Sequence, residues 1–119
     1  MRYKELVDRV QEQGELESAD QAEKAIKATL STLGECLYRT ERRHLASQLP
    51  QEAKGFLYEY ADPQVQRRES ACFTLQEFYG RVGARTDATY AHAVRRAQTV
   101  VSVLNELLPA RLRKSVSPA

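Results

Sequence analysis

Two stretches of this chain read as copies of one another, and that duplication constrains the fold more than any other feature. A short amphipathic segment followed by a long one runs from Tyr3 to Leu37 and again from Leu75 to Leu108. Glu5-Leu6-Val7-Asp8-Arg9-Val10 lies over Glu77-Phe78-Tyr79-Gly80-Arg81-Val82 at an offset of 72, and the apolar, acidic and basic positions coincide. Thr32-Leu33-Gly34-Glu35-Cys36-Leu37 lies over Val103-Leu104-Asn105-Glu106-Leu107-Leu108 at an offset of 71. A repeat of this kind names the supersecondary unit from which a fold is assembled.

The spacing of apolar residues makes that unit helical. Tyr3, Leu6, Val7 and Val10 stand at i, i+3, i+4 and i+7, one stripe of a helix over about 3–13, with Gly14 as its C-cap. Ser18 and Gln21 form a capping box for a second helix to about Leu37, whose buried face is Ala22, Ile26, Thr29, Leu30, Leu33 and Leu37. Thr40 is expected to cap a third helix through Gln48, and Pro50 to open a fourth over 51–60 that packs through Phe56, Leu57 and Tyr60 and leaves Tyr58 near the surface. Thr74-Leu75-Gln76-Glu77 is the clearest helix start in the chain. Leu75, Phe78, Tyr79 and Val82 repeat the first stripe, Gly83 is expected to break that helix, and Asp87 to cap a sixth reaching Leu108. A short seventh follows Pro109, from Ala110 to about Val116.

No segment alternates apolar and polar residues, so the expected fold is all-α. It comprises about seven helices, with two tandem helical repeats packed into one pseudo-twofold bundle. At 119 residues, 42% hydrophobic and 29% charged, the chain fits a single helical domain over 1–119. Repeat one covers about 3–60, the connection 61–73, and repeat two about 74–116.

Composition also narrows the chemistry. No apolar run approaches the ~20 residues of a membrane span, and Met1-Arg2-Tyr3-Lys4-Glu5 lacks the apolar stretch of a secretory signal. A cytoplasmic protein is expected. Cys36 and Cys72 are far apart with no Cys-x-x-Cys, so they read as small buried hydrophobes, and His44 and His92 do not stand at zinc-ligand spacing with them. There is no Gly-x-Ser-x-Gly, and Ser70 and Cys72 have no local tie to a histidine. The sequence therefore offers no catalytic residue, no metal ligand set and no cofactor site.

Short helix, long helix, Leu45-Ala46-Ser47-Gln48-Leu49-Pro50, and then a second helix carrying Phe78-Tyr79-Gly80-Arg81-Val82 resemble the bacterial and archaeal family known as domain of unknown function 2267. The likeness covers nearly the whole chain. The second half departs from the pattern, reaching Val116-Ser117-Pro118-Ala119 without another Gln-Leu-Pro. What the resemblance implies is a fold; it supplies no catalytic residues.

Three surfaces are candidates for function. Phe56, Tyr58 and Tyr60, followed by Arg67 and Arg68, join the two repeats, and tyrosine and arginine are enriched where proteins bind proteins. The plain structural alternative puts Phe56 and Tyr60 in the core and the arginines in solvent. The sixth helix is apolar over a wide arc, Val94 to Leu108, which means burial on more than one side or self-association through Val101 and Val103. Residues 1–60 carry 9 Lys/Arg against 11 Asp/Glu, and residues 61–119 carry 9 against 5, so Arg95 and Arg96, with His92 a turn earlier, are candidates for a polyanion or nucleic acid. His44 beside Arg42 and Arg43 is a further phosphate contact to consider, but the plainer reading, an exposed helix N-terminus for His44 and a solvated helix face for His92, is favoured for both. The first expectation is a non-catalytic protein-interaction or adaptor module with a protein partner or a second copy of itself. Polyanion binding and a small-molecule pocket or enzyme between the repeats are the alternatives.

Overall fold

The computed structural model describes residues 1–61 and 74–108. Six α-helices follow in order: α1 (Tyr3–Gln13), α2 (Ala19–Cys36), α3 (Arg39–Gln48), α4 (Gln51–Lys54), α5 (Leu75–Thr86) and α6 (Tyr90–Leu107). A 3-10 turn, Gly55–Tyr58, continues α4, so the expected fourth helix is one α-turn and one tighter turn. There is no strand among the described residues. The expected seventh helix and the connection between the repeats lie outside them.

α1 packs on α2 and α6, α5 packs on α6 and α2, and α2 and α6 also touch each other. Leu6 and Val10 of α1, Ile26 and Leu30 of α2, Val82 of α5 and Val100, Val103 and Leu104 of α6 are fully buried where these helices meet. Each such side chain contributes about 1.5–3 kcal/mol on leaving water. Both long helices start on a hydroxyl: Ser18 Oγ accepts the amide of Gln21 and Thr89 Oγ1 accepts that of His92. Both end alike, with the amides of Leu37 and Leu108 donating to the carbonyls of Leu33 and Leu104.

Several local expectations are corrected. α5 runs through Gly83 to Thr86, and Asp87 is its C-cap at φ 54, while Thr89 takes over the capping of α6. Space is tight at position 83: a Cβ there would stand 3.2 Å from the Ala88 carbonyl oxygen and 3.3 Å from the Cβ of Ala93 on α6. Tyr38, rather than Thr40, precedes α3, and its amide donates to Glu41 at 3.1 Å. Leu75 is exposed, one turn ahead of the buried stripe.

The 3-10 turn is pressed onto α2 at Gly34, where a Cβ would stand 1.9 Å from the carbonyl oxygen of Leu57. Only glycine permits that approach. The consequence is positional: the backbone after Leu57 leaves the core immediately, carrying Tyr58 and Tyr60 onto the surface beside the C-terminal end of α2.

Candidate interaction surface

The end of a helix leaves carbonyls without partners. Arg42, on α3, answers two of them at the end of α2: Nε donates to the Gly34 carbonyl at 2.9 Å and Nη2 to that of Leu37 at 3.0 Å. Its side chain is buried, and its charge complements the negative end of the α2 dipole. The guanidinium also lies 5.9 Å from the centroid of the Tyr58 ring, at the outer limit of cation–π attraction.

A second arginine repeats the arrangement from the other side. Arg85, near the end of α5, donates to Thr32 Oγ1 at 2.7 Å and pairs with Glu35 Oε2 at 2.8 Å, both on α2. Its guanidinium carbon sits 3.8 Å over the Tyr60 ring. Arg81, one turn earlier, pairs with Glu35 Oε1 at 3.0 Å. Tyr58 and Tyr60 are 47% and 49% exposed; the Tyr60 ring rests on a guanidinium fixed by hydrogen bonds, and the Tyr58 ring faces another at longer range. Two large amphipathic side chains are thereby presented to solvent with much of their freedom already lost.

Of the sequence-derived candidates, Tyr58 and Tyr60 meet on this surface, and Tyr60 is moved there from its expected core position. Phe56 is half-buried and packs edge-on against the Tyr3 ring at 6.4 Å, a structural contact. Arg67 and Arg68 lie outside the described residues, as do Ser70 and Cys72. Val101 and Val103 are 7% and 0% exposed, so the breadth of α6 here reflects burial against α1, α2 and α5. Arg95 is exposed and paired with Glu15 at 2.6 Å. With Arg96, His92 and the loop Gly14 to Glu17 it lines a cleft of about 210 Å³ that carries both signs of charge. Cys36 is half-buried and His44 exposed. Among the described residues no three of His, Cys, Asp and Glu gather as metal ligands, and no helix is long and apolar enough to cross a membrane.

In the sequence Arg42 stands out only as a neighbour of His44 in a phosphate contact, whereas it is buried on the end of α2, and Arg85 is not singled out. A signal was available for the first: Arg42, Leu45, Ala46 and Leu49 stand at i, i+3, i+4 and i+7, which puts the arginine on the buried stripe of α3.

An all-α chain whose long helices α2 and α6 each pack against a short one, with tyrosines and arginines gathered at the end of α2, is the class of protein these features define. It belongs to the family described as uncharacterized conserved protein (DUF2267), whose model matches residues 3–117. No curated protein matches the sequence.

Proposed function

We propose that this chain is a non-catalytic protein-interaction module of the cytoplasm, made of two helical repeats related by a pseudo-twofold axis, with Tyr58 and Tyr60 at the centre of its docking surface. The observation that carries the reading is two half-exposed rings, Tyr60 seated on the anchored Arg85 guanidinium and Tyr58 facing that of Arg42. Tyrosine brings large contact area, and fixing it before binding reduces the ordering cost that association must meet. Exposed aromatic rings held in place at no evident gain to the core are best explained by a partner that covers them.

Four correspondences support the pseudo-twofold. α2 and α6 are both 18 residues long and start 71 positions apart. The capping hydroxyls of Ser18 and Thr89 share that offset. Arg9 and Gln13 reach from α1 to Glu106, as Arg81 and Arg85 reach from α5 to Glu35. The two non-glycine residues with left-handed backbone, Glu15 and Asp87, stand 72 apart. Polyanion binding through Arg95 and Arg96 is less favoured, because Arg95 is engaged by Glu15 and Glu17 lines the same cleft.

The test compares the natural chain with a Tyr58→Ser/Tyr60→Ser variant as bait in an extract of its source cells. A protein retained only by the natural chain is then titrated against both. The expected result is an affinity at least tenfold lower for the variant, about 1.4 kcal/mol or more. Equal retention or equal affinity would overturn the proposal.

A further inference from the structure

We propose that the outer face of α1 and the outer face of α3 form a self-association interface, the acidic stripe of one copy of the chain docking on the basic stripe of another. This surface is independent of Tyr58 and Tyr60.

Glu5, Asp8 and Glu12 are exposed along α1, opposite the side that buries Leu6, Val7 and Val10. Arg39 and Arg43 are exposed one turn apart on α3, with His44 beside them. Among the described residues no hydrogen bond or ion pair engages any of these six side chains. Three exposed cations elsewhere, Arg9, Lys27 and Arg95, are answered by Glu106, Glu59 and Glu15 within the chain. Lys4 stands one turn before Asp8 and forms no ion pair with it.

One end of each stripe also runs against the electrostatics of its own helix, although Glu5 in the first turn of α1 is favourably placed. Glu12 lies in the last turn of α1, where the dipole favours a cation, and no basic residue is there. Arg39 lies in the first turn of α3, where the dipole favours an anion. Asp8 with Glu12, and Arg39 with Arg43, are like-charged pairs at i, i+4, which destabilise a helix. Local choices that cost stability without a local gain point to a compensation elsewhere. One copy of this chain supplies what each stripe lacks: an acidic face for α3 and a basic one for α1. Because every pair would be solvent-exposed, the association is weak and strongly screened by salt.

Sedimentation equilibrium tests this on the full chain. In about 0.01 M salt, where charges act over about 30 Å, the mean mass rises above 13.5 kDa with protein concentration. In about 1 M salt, with a range near 3 Å, it returns to the monomer. Two variants, Asp8→Lys/Glu12→Lys and Arg39→Glu/Arg43→Glu, should each be monomeric alone and associate when mixed in equal amounts. Circular dichroism melts of each variant, with a cooperative helical transition retained, separate lost association from lost fold. A natural chain that stays at 13.5 kDa in low salt overturns the proposal. So does a variant that associates alone as the natural chain does, or a mixture that stays monomeric.

Discussion

Arg81 reaches across from α5 to hold Glu35 at 3.0 Å, near the end of α2. Arg9 does the same from α1 to Glu106 on α6, at 3.3 Å. The two pairs hold corresponding places but differ in burial. Glu35 is 14% exposed and Glu106 44%. Glu35→Gln leaves the half-buried Arg85 without its carboxylate and should cost about 1–3 kcal/mol. Glu106→Gln breaks an exposed pair and should cost less than about 1 kcal/mol. Urea denaturation of the two variants checks the difference; equal losses would contradict it.

Gly34 and Gly80 make the opposite comparison. A methyl group at position 34 meets the Leu57 carbonyl at 1.9 Å, so Gly34→Ala must push the 3-10 turn off α2. The expected loss is about 3 kcal/mol or more, with Tyr58 displaced. Nothing stands within 4 Å of a Cβ at Gly80, which is helical and exposed. Gly80→Ala should therefore raise stability by about 0.5–1 kcal/mol. Thermal melts of both report the sign directly.

Arg42 carries two buried hydrogen bonds to backbone carbonyls, and Arg42→Met abandons both oxygens. A loss of about 2–4 kcal/mol follows at roughly 1–2 per orphaned group. Arg42→Lys should recover less than half of it, since an ammonium lacks the planar fork that reaches Gly34 and Leu37 together. Stability of the two variants by chemical denaturation separates charge from geometry.

Burial, then the hydrogen bond to Glu23, then the charges of Glu23 and Glu52 push the Tyr3 phenol up from 10.0 to about 12. The folded chain therefore keeps a proton that the unfolded chain releases above pH 10. Stability should be unaffected by this group below about pH 10 and decline as pH rises from about 10 to 12. Tyr3→Phe should flatten that decline, and the difference in absorbance at alkaline pH between the two chains should place the Tyr3 titration near 12.

Much of the helical frame was legible because its signals are local. Ser18 with Gln21 and Thr74 with Glu77 mark true helix starts, and the stripe Leu6, Val7, Val10 is buried as its spacing requires. Where reading failed, two local signals competed or a tertiary contact decided. Asp87 and Thr89 are both capping residues two positions apart; only the offset of 71 from Ser18 favours the threonine. Gly83 reads as a helix breaker until the Ala88 carbonyl and α6 are seen to crowd it. Tyr60 reads as core because a regular helix over 51–60 would turn it inward, and the tighter 3-10 turn after Gly55 rotates it out. The roles of Arg42 and Arg85 depend on helix ends that no pattern of spacing brings together.

The docking surface is tested most directly by placing a photo-reactive amino acid at position 58 or 60, and in separate chains at Gln76 on the exposed face of α5, then irradiating living cells. Discrete adducts of one mass from positions 58 and 60, and none from 76, are the predicted result. No adduct from 58 or 60, or the same adducts from 76, would contradict a surface centred on the two tyrosines.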